Sequence, residues 1–181
     1  LEGSSDNVIK QLLKRKYPKL SDPDIDKITE FSDGNARVAL ALASSSETKG
    51  ELARLGDAEL FKRLFLQKNS ENDDLLKVAE VASLLYSFDF EGTTDNSELT
   101  TLAGLSGIST ALFSRNIAEL KNRGLVQERG RWRAVLPHAI SNRLALRAIE
   151  AYPKDFLTKA LVDNASDRVA RSFSRRLGYL H

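Results

Sequence analysis

The chain has 181 residues, room for one large domain or two small ones that each bury a modest core. Hydrophobic residues make up 41% and charged residues 29%, a balance too apolar for a disordered chain and ordinary for a folded one. The net charge of +2 announces no nucleic-acid binder, and the absence of cysteine excludes disulfides, thiolate nucleophiles and Cys-ligated metals.

In chain order, Ser5 or Asp6 can cap a helix whose Val8, Ile9, Leu12 and Leu13 share one face at 3.6-residue spacing. Tyr17-Pro18 ends it, because proline cannot continue the hydrogen-bond ladder. Ser21-Asp22-Pro23 opens a second helix with Ile25, Ile28 and Phe31 as its buried stripe. Asp33-Gly34 breaks the chain, and Asn35 leads into a small-residue helix over 36–44. Three short helices so close together predict a compact bundle. A polar stretch at 45–50 is a first candidate hinge. Residues 57–67 read as a helix with Leu60, Phe61, Leu64 and Phe65 inward, and 68–73 as a linker and second candidate hinge. Asn72 or Asp73 caps the next helix, which carries Leu75, Leu76, Val78, Ala79, Ala82, Leu85 and Tyr86. Residues 88–96 read as a loop rich in Asp, Gly and Thr.

The strongest pattern follows. A short helix over 97–103, a tight turn over 104–107 and a longer helix over 109–122 with Leu112, Phe113, Ile117 and Leu120 inward end at Gly124 in a left-handed conformation. Residues 125–128 and 131–135 alternate as two strands about a turn containing Gly130. Helix, turn, helix and hairpin make a winged helix-turn-helix layout. Beyond Pro137 the chain is helical over 139–151, 154–162 and 167–180, with Ser166 as a cap. The fold expected is mainly α: a helical lid bundle over 1–68, a winged-helix domain over 69–150, and the start of a helical region over 151–181.

No Gly-rich loop ending in Gly-Lys-Ser/Thr is present, so no element cradles phosphates or places Mg²⁺. No Ser/His/acid set is visible, and His138 and His181 are too few for a zinc site without cysteine. The paired carboxylates Asp22/Asp24 and Asp73/Asp74 sit at helix starts, where the helix dipole explains them. The chain is therefore expected to have no catalytic residues, to hold no metal or cofactor itself and to hydrolyse no ATP. The longest apolar run, over 38–43, is far short of the roughly 20 residues of a membrane span. Together with the lack of a basic-then-apolar leader, this predicts a cytoplasmic protein without a membrane partner. The lack of methionine is what a piece of a longer protein would show.

Acids concentrate in residues 1–100, while the stretch from Arg115 to Arg176 is basic. On the 109–122 helix, Ser109, Thr110, Ser114, Arg115, Asn116 and Lys121 are expected to be exposed, and Arg129, Arg131 and Arg133 flank the wing, where phosphate contacts would fall. Thr110, Ser114, Arg115, Lys121, Arg129, Arg131 and Arg133 are accordingly the candidate DNA contacts. Glu119 and Glu128 interrupt this surface, and Trp132 is expected to pack the hairpin onto the core.

Two further segments carry a resemblance. Asp33-Gly34-Asn35-Ala36-Arg37 at a helix start resembles the Gly-(Asp/Asn)-x-Arg segment in the lid of AAA+ and STAND ATPases, and a helix N-terminus with a guanidinium is a good anion site. Leu136-Pro137-His138-Ala139-Ile140, just after the wing, is similar to the histidine motif that closes the winged-helix domain of STAND proteins. Pro137 and Ala139 stand where that motif has methionine and aspartate. The order of lid, winged helix and helices resembles a bacterial STAND-type NTPase. The resemblance implies that Arg37 and His138 contact nucleotide, ADP or ATP with Mg²⁺, held by an upstream nucleotide-binding domain of the same chain. It also implies a downstream sensor domain and a homo-oligomer on activation. The alternative is the DNA-binding end of an AAA+ initiator or a transcription regulator.

Overall fold

A computed structural model describes residues 4–46, 51–65, 73–92 and 97–180. The chain divides into two compact units, Leu1–Leu76 and Lys77–His181. The parts of the candidate hinges at 47–50 and 68–72 lie outside the described residues.

In the first unit, α1 (Asp6–Lys16), α2 (Asp22–Ser32) and α3 (Ala36–Ser45) pack on one another, followed by a 3-10 turn (Leu52–Arg54) and α4 (Asp57–Phe65). The helix boundaries follow from their caps. Asn35 Oδ1 accepts from the N–H groups of Arg37 and Val38 at 3.0 and 3.1 Å, and Asp33 and Gly34 turn the chain with φ of 45° and 74°. Ser21 and Asp24 form a reciprocal capping box at the start of α2. Asp24 is fully buried, and its second oxygen accepts from the Ala53 N–H at 2.9 Å, so one carboxylate starts α2 and anchors the 3-10 turn. Ile9, Leu13, Ile28, Leu42 and Phe61 fill the core, with Phe31 edge-on to Phe61 at 5.0 Å. Val8, expected inward, is 53% exposed: Ile9 and Leu13, one turn apart, take the buried face and leave Val8 beside it.

In the second unit, α5 (Asp73–Ser83), whose first turn belongs to the first unit, leads into β1 (Phe88–Asp89). Then come α6 (Glu98–Ser106), α7 (Thr110–Asn122), β2 (Val126–Arg129) and β3 (Trp132–Val135). The strands form an antiparallel sheet in the order β1-β3-β2. The stretch read as a loop therefore contains a strand, since two residues are too few to show alternation. The turn between α6 and α7 also differs from expectation. Gly104 lies inside α6, where an added Cβ would meet nothing within 4 Å, and Gly107 (φ 66°) ends the helix. Gly124 (φ 75°) takes a left-handed conformation where the chain leaves α7, and Gly130 (φ 56°) takes one in the turn between β2 and β3.

Residues in β3 alternate between faces. Val135 is fully buried, so Arg133 shares its inward side, whereas Trp132 belongs to the outward side and is 37% exposed. The hairpin thus packs onto the core through Val126 and Val135 rather than Trp132, and β1 adds Phe88, fully buried and edge-on to Phe113 at 6.4 Å.

Three elements complete the unit: α8 (His138–Ala151), α9 (Lys154–Thr158) continuing into a π turn (Lys159–Asp163), and α10 (Asp167–Leu177), capped by Ser166. Helix α10 lies along the chain that leaves α5. Arg168 donates to the Ser87 carbonyl at 2.9 Å and pairs with the Glu98 carboxylate. Ser172 donates to the Ser87 carbonyl at 2.7 Å, and its own carbonyl accepts from the Tyr86 N–H at 3.2 Å. Arg176 donates to the carbonyls of Ser83 and Leu85 at 2.9 and 3.5 Å. Spacing of four residues puts all three on one face, where they satisfy the last carbonyl of α5 and two carbonyls of the chain that follows it.

Candidate functional site

His138 is the first residue of α8, directly after the hairpin and exposed to solvent. Its ring stacks on Tyr86 at 5.3 Å and lies nearly parallel to Tyr179 at 6.4 Å, with Tyr86 and Tyr179 5.8 Å apart. Tyr86 follows α5 and Tyr179 follows α10, so three elements meet at this aromatic cluster. The Arg175 guanidinium sits 3.8 Å over the Tyr86 ring and that of Arg176 5.6 Å from it, both favourable to the negative face of an aromatic ring.

Arg176 is fully buried and, among the described residues, pairs with no carboxylate. Besides the two carbonyls it donates to Asn142 Oδ1 at 2.6 Å, and Asn142 donates in turn to the Tyr179 carbonyl at 3.0 Å. Burial pushes its pKa down to about 10, so it keeps its charge at neutral pH. Pro137 precedes α8 without any side-chain cap, and the negative end of a ligand is favoured at such a helix start. Of the cluster, His138, Arg175 and Tyr179 face solvent, groups whose chemistry favours an anion, while Arg176 lies beneath them. Tyr86, Arg175, Arg176 and Tyr179 escaped sequence reasoning. The available signal was the recurrence of Arg168, Ser172 and Arg176 at four-residue spacing, where a buried face calls for apolar residues.

Arg37 lies in the first turn of α3 and is exposed. The Asn35 side chain already occupies the N–H groups there, so the guanidinium is what α3 can offer an anion.

The candidate DNA contacts divide in two. Arg115 and Arg129 are exposed and pair with no described residue. Lys121 and Arg133 both pair with Glu128, the latter at 3.3 Å, and Arg131 pairs with Asp89. These bonds, chiefly those from Arg131 and Lys121, hold the Asp89 and Glu128 carboxyls below the usual carboxylate range, and the pairs persist at neutral pH. Arg133 is also turned inward, with its guanidinium 4.7 Å over Phe90 and donating to the Gly130 carbonyl at 2.6 Å. Ser114 donates back to the Thr110 carbonyl at 2.8 Å, and both residues are half-buried. Asn116, expected outward, is only 4% exposed, because it shares the inward side of α7 with Phe113 and Ile117. Arg168 lies 4.3 Å over Trp132, so that exposed ring also has an internal cationic neighbour.

Among the described residues, no group of His, Asp or Glu side chains could hold a metal ion, and no helix is long and apolar enough to cross a membrane. No protein family, curated protein or solved structure matches the chain.

Proposed function

We propose that this chain is the lid and winged-helix part of a cytoplasmic, nucleotide-dependent signalling switch of the STAND type, and that its task is to couple the ADP or ATP state of a nucleotide-binding domain to domain rearrangement. The observation that carries this reading is His138: an exposed imidazole at a helix start without a side-chain cap, next to the hairpin and stacked on Tyr86, the ring that Arg175 and Arg176 approach. In this reading α1–α4 form the lid, α6, α7 and the hairpin form the winged helix, and α8 begins with the group that meets a phosphate. A hydrogen bond from His138 to the ADP phosphates, present in the closed state and lost in the open one, would bias the switch toward closure. Arg37 adds a guanidinium from the lid. The remaining partners are a sensor domain of the same chain and further copies on activation.

A hydrogen bond to a charged group contributes on the order of 1.5–3 kcal/mol, and each 1.4 kcal/mol is a factor of ten in a population. In the full-length protein, His138→Ala should therefore release ADP about ten-fold faster and raise activity without the trigger. Release and basal activity at wild-type levels in a stopped-flow exchange assay would remove the switch role from His138.

A second reading, DNA binding through α7 and the wing, draws on exposed Arg115 and Arg129. Against it, Glu128 and Asp89 take up Lys121, Arg131 and Arg133. Binding to duplex DNA should be weak and fall steeply with salt, as expected of a few phosphate contacts without base readout. Sequence-specific nanomolar binding near physiological salt, by fluorescence anisotropy, would reverse the order of the two readings.

A further inference from the structure

Helix α10 is held to its unit in an unusual way. Its buried apolar side chains are Val169 and Phe173, whereas Leu177 is 40% exposed. The rest of its inward face is the polar row Arg168, Ser172 and Arg176, bonded to the main chain at Ser83, Leu85, Tyr86 and Ser87. Apolar docking would be reinforced by water exclusion. A buried guanidinium that meets main-chain carbonyls and an amide oxygen, and no carboxylate among the described residues, instead gives up its hydration on docking and regains it on release. The chain entering α10 is irregular too: the π turn Lys159–Asp163 stands just before it, a distortion that interrupts helical hydrogen bonding.

The same helix supplies part of the surroundings of His138. Arg175 covers Tyr86, Arg176 binds Asn142, and Tyr179 follows the helix end and accepts from Asn142.

We propose that α10 is a releasable strap whose docking assembles the aromatic cluster around His138 and whose release takes that cluster apart. The inference deepens the switch reading above, in which His138 carries the nucleotide state. Arg176 is then a positioning residue, acting through Asn142, Tyr86 and Tyr179. Undocking would remove Tyr179 and Arg175 from the cluster and leave the end of α5 open, while Phe88, Phe113 and the hairpin keep the remaining core.

The test uses this chain without nucleotide, so its outcome is separate from that of the ADP experiment. Amide hydrogen exchange would follow α10 and α7 in wild type, Arg176→Ala and Arg168→Ala, while NMR follows the His138 ring protons. In wild type, α10 should exchange at least about ten-fold faster than α7, as expected of a unit that opens below the global unfolding free energy. Arg176→Ala should accelerate α10 by about a further ten-fold, leave α7 unchanged, and move the His138 resonances toward those of an unstacked histidine. Arg168→Ala, at the more exposed end of the stripe, should do the same to a smaller degree and serves if Arg176→Ala fails to fold. Equal acceleration of α7 and α10 would overturn the strap, since α10 would then be part of one cooperative core. Accelerated α10 exchange with unmoved His138 resonances would overturn the coupling.

Discussion

Phe113→Ala should destabilise the second unit by about 3–5 kcal/mol, the range for truncating a large buried ring and leaving a cavity. Phe113 is fully buried in α7 and edge-on to Phe88 of β1, which pairs with β3, so this contact ties a helix to the sheet. A denaturant titration followed through Trp132 gives a direct reading, because it is the chain's one tryptophan and lies in this unit. The midpoint should fall with little change in slope. A loss below about 1 kcal/mol would mean that β1 and α7 are not joined through this ring.

In the first unit, Asp24→Ala should cost about 3 kcal/mol, far more than an ordinary surface carboxylate. The Asp24 carboxylate accepts from the Ser21 N–H at 3.2 Å, the Ser21 hydroxyl at 2.6 Å and the Ala53 N–H at 2.9 Å, all with the side chain out of water. Removing it abolishes the capping box and takes an acceptor from two main-chain donors, each loss worth about 1–3 kcal/mol and not fully additive. Asp24→Asn should fall between the two, since an amide oxygen can still meet Ala53 but its NH₂ group would face the Ser21 donors. Exchange of the α2 amides measures both. Exposed Val8→Ala is the control, expected within about 0.5 kcal/mol of wild type. If Asp24→Ala matched that control, the link between α2 and the 3-10 turn would carry no stability.

Much of the local structure was legible in the sequence because its causes are local. Proline at Pro18 and Pro23, Ser21, Asn35 and Ser166 at helix starts, and glycines at Gly34 and Gly124 set their own backbone neighbourhoods, and the helix and strand boundaries follow within a few residues. The apolar periods of α2, α4 and α7 identified the residues that the core takes up, and the position of His138 at a helix start was legible for the same reason.

Only tertiary structure decided the rest, because those features depend on groups distant in sequence. Strand β1 exists through its pairing with β3, more than 40 residues away, which two residues could not signal. Gly104 and Gly107 look alike as letters, but only Gly107 takes the left-handed turn. Asn116 and Trp132 exchanged their expected sides once the α7 face and the β3 pleat were settled by Ile117 and Val135. The aromatic cluster came last in this order. Tyr86, His138 and Tyr179 meet through α10, which a buried arginine and main-chain carbonyls hold in place, so no apolar period marked it in advance. Patterning reports which side chains avoid water; it does not report a charge that is buried by hydrogen bonds made elsewhere in the chain.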